Sequence, residues 1–221
     1  MSIVTKTFDN ADYSETGELM RFRLYYEGPL KSDGDAKHKH AVRRQFHPQL
    51  KELWRIYPSL NGEPLDCGII GEDGEVAVDK PVYPNFARKI AEAHQVHGYK
   101  FVPLVLVGDR ARVDLDILML RPGPAGGVIT QSGDIDNRMK TLFDALQIPA
   151  HSIGHKIPEP LPGEEMFYCL MADDALISKV TVENDALLRP LEDVKRHSEY
   201  VQLIITVEIK AMAAFNPRFA A

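Results

Sequence analysis

Cysteine is nearly absent from this chain: Cys67 and Cys169 are the only two among 221 residues. Two cysteines give neither a disulfide framework nor the paired spacing of a zinc ribbon, so buried free thiols are the expectation. Long apolar runs are missing too. No stretch approaches the roughly 18–20 residues that span a bilayer, and the opening MSIVTKTFDNADYSETGELM lacks a signal-peptide apolar segment. This predicts a cytoplasmic protein with no membrane partner. Positive charge is in deficit, with a formal net charge of −6. Gripping nucleic acid over a whole surface needs surplus Lys and Arg to displace counterions, so that class is disfavoured while a local basic face is not. What remains, 44% hydrophobic and 26% charged residues, suits an ordinary globular chain. Its length suits one domain over 1–221, with an acidic lead at 1–19.

Strand and helix periods alternate along the chain. Met20 to Gly28 reads as a first strand ended by Gly28-Pro29. Val42, Phe46, Leu50, Leu53 and Tyr57 then recur at helical spacing, with Lys37, Arg44, Lys51 and Arg55 on the opposite side. Pro48 lacks an amide donor and predicts a break, a kink or a fresh helix start there. The Gly- and Pro-rich stretch 61–84 reads as loop or short hairpin, and PNFARKIAEAHQVHG reads as a helix stopped by Gly98. KFVPLVLVGD and RVDLDILMLRPG read as two strands, joined as a hairpin around Gly108-Asp109. After a Gly-rich connector, Met139, Leu142, Phe143 and Leu146 define one apolar helix face. Residues 147–172 read as a long irregular insertion, of the kind that is usually functional or mobile. Val201, Leu203, Ile205, Val207 and Ile209 give the cleanest period-two signal, a closing strand. Together these elements predict an α+β chain, a mixed β-sheet packed against helices.

Charge collects at GDIDNRMKTLFDAL, residues 133–146. If 133–136 are extended, the carboxylates of Asp134 and Asp136 point to the same side. Asp136 or Asn137 would cap the helix that follows, and Asn137, Lys140 and Asp144 would share its polar face. A second acidic pair, Asp173-Asp174, stands just before the strand-like ALISKVTVE. Carboxylate oxygens suit Mg²⁺ or Mn²⁺, and a lysine beside them suits a reacting phosphate, so convergence of these groups would serve phosphodiester chemistry. A D-x-D before a helix is, by spacing alone, more often a cap with a solvated carboxylate.

GDIDNRMKTLFDAL, followed by ADDALISKVTVE and the terminal VQLIITVEI, resembles the RusA family of Holliday junction resolvases. The specific likeness covers residues 133–146 and 172–183, and the order of the other elements agrees loosely. The resemblance implies a RusA-like fold and a Mg²⁺-dependent endodeoxyribonuclease that cuts branched DNA as a homodimer, in recombination or repair. It also implies catalytic roles for Asp134, Asp136, Lys140 and Asp174, with metal held by Asp134, Asp136 and Asp174 and with Asp173 as a further candidate ligand. Two segments depart from the family pattern: the insertion between Leu146 and Asp173, and an added stretch around 58–105.

Other groups have plainer readings. Lys37, Arg43, Arg44, Lys51 and Arg55, with Lys39, could track a nucleic-acid backbone or form a solvated helix face. His38, His40 and His47 read as surface histidines, and Trp54, Phe46 and Tyr57 as core rather than base-stacking residues. His94 with His97, or His151 with His155, has metal-pair spacing, but packing or solvent accounts for them as well. Asp114 and Asp116 form a second D-x-D, expected on the solvent face of a strand. Two further function classes remain. A non-catalytic or retargeted relative, nucleic-acid-binding or phage-associated, fits the acidic balance. A transferase holding a nucleotide diphosphate through D-x-D leaves Lys140 and the later acidic pair unexplained.

Overall fold

The computed structural model describes residues 18–57, 60, 69–70, 76–77, 86–122, 135–188 and 199–212. The cleanest alternation in the sequence becomes the central strand. Val201, Leu203, Ile205, Val207 and Ile209 are all fully buried on one face of β9 (Tyr200–Ala211), as the two-residue period of a strand requires. β9 runs antiparallel to β1 (Glu18–Pro29) on one side and to β6 (Ala111–Arg121) on the other. β8 (Ile177–Ala186) joins β6 in parallel, giving the order β1-β9-β6-β8.

A second sheet has the order β4-β5-β7, from β4 (Gln95–Val96), β5 (Tyr99–Val105) and β7 (Met166–Met171). The hairpin expected around Gly108-Asp109 does not form. A 3₁₀ turn at Val107–Asp109, followed by Arg110 at φ 50°, carries the chain from β5 in one sheet to β6 in the other. β5 pairs in parallel with β7, and its apolar run Phe101–Val105 is buried throughout, as parallel strands covered on both faces usually are. β7 corrects the reading of 147–172 as wholly irregular. The prolines upstream of it obscure a six-residue apolar run in which Phe167, Cys169, Leu170 and Met171 are buried.

Helix α2 (Phe86–Ala93) stops short of the expected Gly98. Gln95 and Val96 instead pair with Lys100 and Tyr99 around His97 (φ 47°) and Gly98 (φ 82°), the positive-φ pair that suits a two-residue hairpin. β2 (Ile69–Ile70) and β3 (Val76–Ala77) pair antiparallel within the stretch read as loop or short hairpin. Among the described residues no helix is long and apolar enough to cross a membrane. Mixed sheets packed against helices make the fold α+β.

Helix α1 (Ala36–Ile56) is continuous, without the break expected at Pro48. Pro48 is exposed, so the carbonyl deprived of its donor lies on the solvent side. Asp35 caps the helix, accepting the His38 amide at 2.8 Å. Val42, Phe46, Leu50, Leu53 and Trp54 are buried as expected. His40 and His47 are buried as well, against the surface reading, and both pack on Phe167. Two glutamines on the exposed side, Gln45 and Gln49, bond the amides and carbonyls of Glu27 and Tyr25 and so close the outer edge of β1.

The His40 ring lies 2.9 Å from the Tyr99 hydroxyl and 3.3 Å from the Arg43 guanidinium. Burial first, and then the charges of Arg43 and Arg44, push its pKa from 6.5 down to about 3. The imidazole is therefore neutral in the fold. Its contribution to stability is complete above pH 6.5 and is lost progressively as pH falls toward 3. Each pH unit below the unfolded value is worth about 1.4 kcal/mol, so acidification to about pH 4.5 is expected to cost roughly 2–3 kcal/mol through this group. Urea midpoints measured across that range would show the fall, and His40→Gln would flatten it.

Candidate active site

The motif helix α3 spans Ile135–Leu146. Met139, Leu142 and Leu146 are buried and Phe143 is partly so, which fixes this face against the core as its spacing foretold. The helix begins before Asp136, so Asp136 lies in its first turn rather than capping it, and the chain is not extended through that residue. The first-turn position favours a carboxylate, because the free amides of a helix start carry partial positive charge. Asp134 lies outside the described residues. Asp136, Asn137 and Lys140 are exposed.

The other end of α3 carries a tighter network. Asp144 accepts an ion pair from Lys39 at 2.7 Å and a hydrogen bond from the Gln147 side chain at 3.1 Å. The Gln147 side-chain oxygen in turn accepts the Asp174 amide at 2.8 Å. Asp173 caps the 3₁₀ turn Asp174–Leu176 by accepting the Ala175 amide at 2.8 Å. The Asp174 carboxyl is exposed, and its pKa is raised by partial burial and then by the negative charges of Asp173 and Asp144. A cleft of about 470 Å³ opens here, its lining including Lys39, His94, Asp144, His151, Asp173 and Asp174.

The two acidic groups of the motif are thus unequally placed. Asp174 lies by the C-terminal end of α3, whereas Asp136 is eight residues up the helix from Asp144, about 12 Å along the axis. Carboxylates sharing one ion stand roughly 4–5 Å apart, each oxygen at about 2 Å from it, so Asp136 and Asp174 do not converge. Asp174 gathers instead with Asp173 and Asp144, a neighbour given no metal role by the motif. Set against known proteins, the chain matches no family model, no curated protein and no solved structure. Any functional reading therefore rests on these residues themselves.

In kind, the acidic end of α3 offers the oxygen donors that a hard cation takes. Among the described residues, however, no three His, Cys, Asp or Glu side chains form a metal-ligand group. Lys39 already holds Asp144, and the Ala175 amide holds Asp173. The Asp174 pKa is raised first by burial and then by the Asp173 and Asp144 charges beside it.

The basic face of α1 is thinner than its sequence suggested. Arg43 is buried, so its assignment to a nucleic-acid surface is corrected: its Nε donates to the Gln147 carbonyl at 3.0 Å and its Nη2 to the Asp144 carbonyl. Arg44 is bound to Glu164 at 2.9 Å, and Arg55 to Glu52 at 2.5 Å. Lys37 and Lys51 are exposed. Of the histidine pairs, His94 follows the end of α2 and donates to the Ile90 carbonyl, while His97 sits in the hairpin turn, so the two share no helix face. His151 is exposed at the cleft, and the side chain of His155 lies outside the described residues. Asp116 is exposed, as the solvent-face reading expected, whereas Asp114 is largely covered and bound by Lys210 and Ser178, each at 2.6 Å. Burial alone would raise the Asp114 pKa, but those hydrogen bonds and the Lys210 and Lys179 charges hold it below its ordinary value.

Gln147 and the buried Arg138 carry this region without having been singled out in the sequence, and Lys39, read there with the basic face, instead holds Asp144. Arg138 donates to the Leu30 and Glu199 carbonyls and anchors the start of α3. Its signal was its position four residues before Leu142, on the buried side of the helix.

Proposed function

We propose that this chain is a cytoplasmic, Mg²⁺- or Mn²⁺-dependent endonuclease of the RusA type, acting as a homodimer on branched DNA in recombination or repair. The observation that carries the reading is the return of Asp173-Asp174 onto the motif helix. The pair is separated from α3 by the whole 147–172 stretch, yet the Asp174 amide is held by Gln147 at the helix end. The second acidic block is thereby brought to the same helix as the first, at its opposite end. Asp174 with Asp173 at one end of α3, and Asp136 with Asp134 at its start, are the carboxylates that would hold cations, as separate rather than shared ligands; the chemistry a cation would supply is to activate water and neutralise charge on the scissile phosphate. Lys140, exposed on α3, would meet phosphate charge, and Lys37 and Lys51, exposed on α1, would meet the backbone farther along the strand.

A synthetic four-way junction incubated with Mg²⁺ tests the reading. Wild type is expected to nick it symmetrically, and Asp136→Asn to lose that activity. Absence of cleavage on junctions, flaps and duplexes alike would remove the proposal. One observation favours the second class, a retargeted nucleic-acid-binding relative that does not cut: Asp136 and Asp174 stand at opposite ends of α3. Such a relative would shift junction mobility in a gel with the same affinity in wild type and Asp136→Asn, with no product in either.

A further inference from the structure

The sheet edges of this protein are treated unequally. The outer edge of β1 is closed by Gln45 and Gln49, whose amides bond the backbone of Tyr25 and Glu27. The outer side of β7 is met by the His47 ring, which accepts the Tyr168 amide at 2.9 Å, and by Ile148, which donates to the Met171 carbonyl. β4 is only two residues long. β8 has none of these devices. It is a ten-residue edge strand beyond β6, and among the described residues nothing pairs with its outer side. Ser178, Lys179, Val180, Thr181, Glu183 and Asp185 are exposed, Val180 to 39%. No proline interrupts the strand, and from Lys179 onward its register with β6 is regular. A long open edge of this kind is a template for another strand.

We propose that β8 is a self-pairing edge, on which β8 of a second copy of this chain adds antiparallel about a two-fold axis at Thr181. The sequence of the strand is complementary to itself in that register. Lys179 of each copy faces Glu183 of the other, Val180 faces Val182, and Thr181 faces Thr181. Each pair occurs twice by symmetry except the central one, and each is of a type that stabilises neighbouring strands. Slipping the axis to residue 179 would set lysine against lysine, and slipping it to 183 would set glutamate against glutamate; like charges directly opposite destabilise the pairing. An axis at Val182 keeps Val182 against Val182 and brings Lys179 to Asp185, but it sets Val180 against Asn184 and Thr181 against Glu183, so both Val180–Val182 pairs are lost. Two four-stranded sheets thereby become one of eight strands. The inference names the interface of the homodimer in the proposed function, and it rests on none of that function's chemistry.

Sedimentation velocity on the full chain tests it. Wild type is expected to sediment as a dimer. Lys179→Glu brings two glutamates together at both symmetric positions and is expected to weaken the dimer about tenfold or more. The double variant Lys179→Glu, Glu183→Lys restores opposite charges and is expected to recover the dimer. A wild type that is monomeric at all concentrations, a dimer indifferent to Lys179→Glu, or a double variant that fails to recover would each overturn the interface. The readout is mass rather than cleavage: a monomer that nicks junctions overturns the interface alone, and a dimer that cuts nothing overturns the nuclease reading alone.

Discussion

Arg43→Ala is expected to lower stability by about 3–5 kcal/mol, the cost of removing a buried charged partner and orphaning the groups it served. The guanidinium is 2% exposed and holds the Asp144 and Gln147 carbonyls at the end of α3, while approaching the His40 ring at 3.3 Å. The last carbonyls of a helix have no partner within it, so Arg43 supplies what the helix cannot. Burial lowers its pKa to about 10, which leaves the group charged at neutral pH. Lysine at this position has no planar fork to reach two carbonyls, so Arg43→Lys should recover less than half of the loss. Arg44, one residue on, is the contrast: its ion pair with Glu164 is partly exposed, and Arg44→Ala is expected to cost about 1 kcal/mol or less. Chemical denaturation of the three variants checks the order.

That contrast between adjacent arginines marks a limit of sequence reading. Periodicity identified β9 and the apolar face of α3, because one strong pattern ran the length of each element. It also gave the apolar side of α1, but placed Arg43, His40 and His47 in solvent on the strength of residue type. Their burial depends on partners brought from afar: Tyr99 for His40, the Tyr168 amide for His47, and the carbonyls ending α3 for Arg43. None is within forty residues along the chain. β7 was hidden for a related reason, since its parallel partner β5 lies more than sixty residues upstream and the prolines before it mask its apolar run. At the site, residue types were legible and distances were not. The motif named Asp136, Lys140 and Asp174, while the neighbourhood of Asp144, Lys39 and Gln147 came only with the packing of α1 against α3.

The same geometry gives the nuclease reading its most demanding consequence. Asp174→Asn is expected to reduce junction cleavage by about 10²–10³-fold, the scale of losing one charged group aimed at a reacting phosphate. With the amide bond to Gln147 made by the backbone, the substitution leaves that contact in place, so melting temperature should hold while activity falls. A pH profile adds a reading that a structural role would not move. The Asp174 pKa is raised by burial and then by Asp173 and Asp144, so its working carboxylate is lost as pH falls through a value above that of an ordinary aspartate. Asp144→Asn removes one of those neighbouring charges and should move the acid limb of the profile to lower pH. If Asp174→Asn cuts as wild type does, or if the acid limb stays in place in Asp144→Asn, the chemistry does not sit at this end of α3. Loss of activity in Asp136→Asn alone would then assign it to the helix start, about 12 Å away along the axis.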